Sequence, residues 1–129
     1  VLSSVALVGG LGLATGTMAG AKSTSAKVAK FSMRKGVGDI LVAAKKGATL
    51  YVDTAGPCTG SCLTVWPPLL LPSGKTVPTG AAGLGTTPFG TSGQLQVTDH
   101  SMPLYTFEND SGHSVNGNGV AGFMVVPSS

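Results

Sequence analysis

Leu41-Val42-Ala43-Ala44-Lys45-Lys46-Gly47-Ala48-Thr49-Leu50-Tyr51 and Leu95-Gln96-Val97-Thr98-Asp99-His100-Ser101-Met102-Pro103-Leu104-Tyr105 align without a gap. Each reads as an apolar strand, a polar turn and a closing Leu-Tyr. A loop and a second aromatic follow each, Trp66 after the first and Phe123 after the second. Self-similarity of this kind marks a duplicated β unit. The expected fold is therefore all-β, a small duplicated antiparallel β-hairpin or meander domain with long loops. It is expected over residues 37–127, with its two repeats at about 38–71 and 92–126.

The strands can be placed from this pair outward. Asp39 to Ala44 is rich in Ile, Leu and Val and reads as a strand. Gly47 suits the turn at Lys45-Lys46-Gly47, where a positive φ is needed, and Ala48 to Asp53 reads as the return strand. In the second copy Gln94 to Thr98 alternates polar and apolar residues, the pattern of a half-buried strand. Asp99 to Pro103 turns the chain, Leu104 to Phe107 returns, and Gly122 to Val126 reads as the last strand. Two prolines in Trp66-Pro67-Pro68 lack ladder donors, so the chain is expected to leave the sheet there. Leu69 to Thr91 is rich in Gly, Pro and Thr and reads as irregular. Tyr51, Trp66, Tyr105 and Phe123 read as core anchors, because aromatics dominate small cores.

Composition agrees with a single small β domain. The chain has 129 residues, of which 10% are charged and 5% aromatic, with 20 Gly and 8 Pro. The net charge is +3, and five of the eight basic residues (Lys22, Lys27, Lys30, Arg34 and Lys35) lie ahead of the repeats. That Ser/Ala/Lys-rich stretch, 22–36, reads as a tether, although Val28 to Met33 has the pattern of a first strand. A nucleic-acid face needs basic residues interleaved with aromatics on a folded module, and charges on a Ser/Ala-rich tether do not make one.

Residues 1–21 carry the apolar run Val5 to Ala14 and end in Ala19-Gly20-Ala21 before Lys22. That is the h-region and small-residue cleavage pattern of a secretory signal. It is short and glycine-broken for a membrane span. Membrane association is expected only if this segment is retained. Cys58 and Cys62 are the two cysteines, and an even count in an exported chain reads first as a disulfide. The small Thr59-Gly60-Ser61 link lets the two residues approach bonding distance.

Leu104-Tyr105-Thr106-Phe107-Glu108-Asn109-Asp110 fits a Tyr-x-(Phe/Trp/Tyr)-x-x-Asp signature. With Thr49-Leu50-Tyr51, Cys58-x-x-x-Cys62, Trp66-Pro67-Pro68-Leu69 and Asn116-Gly117-Asn118-Gly119 before Gly122-Phe123, the chain resembles the bacterial secreted-repeat lipoproteins of unknown function. The resemblance runs from about Gly38 to Val126 and makes Tyr51, Trp66, Tyr105, Phe107 and Asp110 the motif residues. The first copy departs from the pattern: Tyr51-Val52-Asp53-Thr54-Ala55-Gly56 lacks the second aromatic and the final Asp. The lipobox is absent as well. The resemblance implies an exported cell-envelope β protein and brings no activity with it.

Chemistry-bearing residues are sparse. Cys58, Cys62, His100, Met102 and His113 are candidate soft ligands for copper, and the cysteines alone could serve thiol redox. Glu108, Asn109, Asp110, Ser111, Asn116 and Asn118 are hard oxygen ligands in a Gly-rich loop, but their spacing is not that of a calcium loop, and turns demand the same residue types. Neither paired carboxylates, a metalloprotease helix motif nor a phosphate loop occurs, and Ser next to His in sequence does not build a triad. The expectation is a non-catalytic exported module without a cofactor, in the cell envelope or outside the cell. It would associate with itself or with another surface protein through β edges. The alternative is an exported copper-binding or thiol-redox protein using Cys58, Cys62 and His or Met ligands.

Overall fold

A computed structural model describes residues 23–128. The signal-like segment 1–21 lies outside the described residues. The described chain is nearly all β. Its strands are β1 (Ser25–Lys27), β2 (Ala29–Arg34), β3 (Gly38–Ala43), β4 (Tyr51–Asp53), β5 (Val77–Thr79), β6 (Leu84–Phe89), β7 (Gln94–Asp99), β8 (Met102–Tyr105) and β9 (Phe123–Val125). One four-residue helix, α1 (Cys62–Val65), interrupts them.

Five strands form one sheet in the order β9-β4-β8-β7-β6, while β2 pairs antiparallel with β3 and β1 pairs parallel with β5. Two expectations are corrected here. Within the stretch expected as a tether, residues 25–34 supply β1 and β2, and β2 pairs along its whole length with β3, from Ala29 opposite Ala43 to Arg34 opposite Gly38. The stretch 69–91 is not all irregular either, since it holds β5 and β6. Thr86 and Thr87 are β-branched and favour the pleat.

Both copies turn back on themselves, but not as two equal hairpins. In the second copy Asp99 faces Met102 and Thr98 faces Pro103 across a two-residue turn. In the first copy Val42 faces Thr49, the Ala43 amide donates to Ala48 O, and the turn is four residues long. Relative to the ungapped alignment the register has moved by two residues. An even shift leaves every side chain on its original face, so the pattern survives although the turn differs. The aligned turn residues keep the same unusual backbone: Lys46 and Gly47 have φ of 64° and 69°, and His100 and Ser101 have φ of 47° and 72°.

The copies interlock through their trailing segments. Residues 67–71 do not leave the sheet, as the two prolines suggested; they close the splayed β7–β8 hairpin. Pro67 O accepts from the Thr106 amide and the Leu69 amide donates to Leu104 O, after which the segment passes to β7, where Leu69 O accepts from Val97 and the Leu71 amide donates to Leu95 O. The C-terminal segment does the same for the first copy. Phe123 to Val125 pair with Asp53 to Tyr51, and then Val126 O accepts from the Leu41 amide and the Ser128 amide donates to Asp39 O. Each copy is completed by the other's tail, and Tyr51 and Tyr105 face each other as direct partners at the centre of the exchange.

Strand alternation sorts the side chains into two clusters. Leu50, Val52 and Leu104 point to one face, where they join Val28, Ala29, Leu41, Ala43, Leu71 and Val97. Tyr51 and Tyr105 point to the other, with Cys58, Trp66, Phe107 and Phe123.

Candidate functional site

The motif residues meet in that second cluster. Trp66 stacks on Phe123 with ring centroids 3.7 Å apart and planes 5° apart, and its other neighbour in the stack is Phe107 at 4.2 Å and 21°. Each tyrosine meets its own copy's trailing aromatic edge-on: Tyr51 to Trp66 at 5.4 Å and 80°, Tyr105 to Phe123 at 5.5 Å and 88°. These are the favoured geometries of aromatic pairs. All five rings are buried, in accord with core anchoring.

Asp110 ties the motif to the first copy. The Tyr51 hydroxyl donates to Asp110 Oδ2 at 2.6 Å, and accepts from the Gly117 amide at 3.1 Å. The other carboxylate oxygen, Oδ1, accepts from the Asn116 amide at 2.7 Å and the Ser114 hydroxyl at 3.3 Å. Asn116 Nδ2 donates back to Asn109 O, and Thr49 Oγ1 donates to Ser114 O. A buried phenol must find such partners. Burial, ahead of the hydrogen bond to Asp110, pushes the Tyr51 phenol well above its ordinary range. Asp110, Ser114 and Asn116 thus hold the loop's own shape. Gly117 is required there for want of room: a Cβ would lie 2.8 Å from a Trp66 ring carbon and 3.0 Å from Tyr51 Cζ.

Gly56 occupies the first-copy position that Asp110 holds in the second. Beside it an open cleft of about 510 Å³ is lined by Asp53, Gly56, Thr59, Ser61, Cys62 and Trp66, among others. Cys58 and Cys62 are joined as a disulfide, with Cα atoms 5.4 Å apart, on the loop that leads into α1. In this state neither sulfur is a thiolate, the form in which cysteine binds metal. His100 sits exposed in the β7–β8 turn, its Nδ1 3.2 Å from Asp99 Oδ1. Met102 begins β8 on the same turn. His113 lies in the 108–119 loop and lines a separate groove with Met33, Arg34 and Lys35. Among the described residues no group of three or more His, Cys, Asp or Glu side chains is placed to hold a metal ion. No helix among them is long and apolar enough to cross a membrane.

Sequence reasoning missed Arg34. It is 4% exposed, with Nη1 donating to Ser32 Oγ and Nη2 to Gly47 O. Its place in a Lys-rich stretch suggests a solvated charge. Its hydrogen bond to Gly47 O joins residues 13 apart in sequence.

Residues 87–125 match a family model described as a secreted repeat of unknown function. The matched segment contains the whole Tyr105-x-Phe107-x-x-Asp110 motif and runs through β9. No curated protein and no solved structure matches the chain. The secreted character of the family supports an exported protein.

Proposed function

We propose that this protein is an exported, non-catalytic β module of the cell envelope or extracellular space, acting by pairing a sheet edge with a second chain. The observation that carries this is β6. It is the outermost strand of the five-stranded sheet, in register with β7 from Leu84 opposite Asp99 to Phe89 opposite Gln94. Its sequence, Leu84-Gly85-Thr86-Thr87-Pro88-Phe89, carries no charge. Edges of this kind present unpaired backbone groups and invite another strand, and charges are the usual guard against it. Pro88 removes one N–H and confines the pairing stretch to 84–87.

The motif residues favour a non-catalytic reading. Tyr51 and Asp110 spend their polar atoms on each other and on the loop. Sedimentation velocity over a range of concentrations tests the edge. The unaltered protein should associate with itself, and Thr86→Lys, which places a charge at an exposed edge position, should reduce association while leaving the circular dichroism unchanged. Monomeric behaviour of the unaltered protein at every concentration, or association indifferent to Thr86→Lys, would count against pairing through β6.

A further inference from the structure

The end of the β2–β3 hairpin and the 108–119 loop enclose a groove of about 560 Å³. It is lined by Arg34, Lys35, His113, Ser114 and Asn116, with Met33, Val37 and Val115 as its apolar part. Arg34 is buried here without a counter-charge. Among the described residues the sole ion pair is His100 with Asp99, so no carboxylate lies within 4 Å of the guanidinium. Two of its nitrogens have neutral acceptors, Ser32 Oγ and Gly47 O, and Nε, itself out of contact with solvent, has none.

A buried charge that lacks both an opposite charge and a full set of acceptors is costly, and the cost is relieved when an ion of opposite sign settles nearby. In the low dielectric around a buried group that attraction is strong. Lys35 adds a second positive charge at the surface. His113 offers a ring N–H in either tautomer. Met33, at 70% exposed, gives the groove an apolar wall open to solvent.

We infer that this groove is a binding site for an oxyanion, a phosphate or carboxylate group, held by Lys35 and His113 above the buried charge of Arg34. The site lies apart from β6 and does not depend on the edge-pairing reading. Free anions and anionic groups carried on a larger ligand share this chemistry.

The test is an amide-resolved NMR titration of the full chain with inorganic phosphate, and separately with acetate, at constant ionic strength. The expected result is saturable shifts confined to residues 33–37 and 113–116, accompanied by the Arg34 Nε–H signal. Saturation by phosphate alone, by acetate alone or by both supports the site and tells which group it prefers. The double variant Lys35→Gln/His113→Asn changes two exposed side chains and leaves Arg34 in place; it should weaken binding at least tenfold. Absence of saturation with either anion, saturable shifts located elsewhere, or binding undiminished in the double variant would overturn the inference.

Discussion

The Tyr51 hydroxyl donates to Asp110 Oδ2 at 2.6 Å, so the acidic residue that closes the second copy's motif holds the tyrosine of the first. The same carboxylate fixes the backbone at Asn116. The bond therefore joins two halves of the chain and sets the loop between them. Replacing Asp110 with Ala leaves a buried phenol without its acceptor and releases the loop. Hydrogen bonds to charged groups are worth about 2 kcal/mol. Urea denaturation should show a loss of about that size for Asp110→Ala, whereas unchanged stability would mean that the contact is dispensable.

Gly117 packs against Trp66 and Tyr51, where a Cβ would approach to 2.8 and 3.0 Å. Gly117→Ala should cost about 1–3 kcal/mol through overpacking, and should alter the near-ultraviolet dichroism of the ring stack. A variant as stable as the parent, with an identical aromatic spectrum, would show that the loop yields freely.

Phe123 carries the stack on Trp66 and begins the segment that completes the first copy. Phe123→Ala should cost about 3–5 kcal/mol, as for other buried aromatic truncations. Hydrogen exchange should also accelerate at the Leu41 amide, whose acceptor is Val126 O. Exchange at Leu41 unaltered in a destabilised variant would separate the tail from the stack.

Tyr51 sets an alkaline limit on stability. Burial raises its folded-state value above the ordinary 10.0 of the unfolded phenol. The folded state therefore favours the neutral form, and the contribution is complete below about pH 10 and declines as the pH climbs beyond it. Denaturation midpoints measured from pH 8 to 11 should fall above about pH 10, and Tyr51→Phe should flatten that fall. An equally steep decline in Tyr51→Phe would assign it to other groups.

Local periodicity made several elements legible. The polar-apolar alternation of Gln94 to Thr98 located β7, and the aligned turns at Lys46-Gly47 and His100-Ser101 carry the positive φ values that close both hairpins. The all-β class and the aromatic core followed from the same pattern. The exchange of tails did not, because it depends on pairing between residues as distant as Leu41 and Val126, which no local window contains. β1 and β2 were obscured by Ser, Ala and Lys, and β6 by its Gly and Pro. Arg34 sits at the end of β2 and is buried by partners that only the folded sheet supplies. For the candidate site, the burial of Tyr51, Trp66, Tyr105 and Phe123 was legible, but the hold of Asp110 on Tyr51 was not.

A double-mutant cycle on Tyr51→Phe and Asp110→Asn measures most directly whether the motif welds the two copies together. Each change is nearly isosteric, so the cycle isolates the contact between the two residues. The account predicts a coupling energy of about 1–2 kcal/mol, with the double variant less destabilised than the sum of the singles. Additive losses, with coupling near zero, would contradict it and free the motif for a role other than joining the halves.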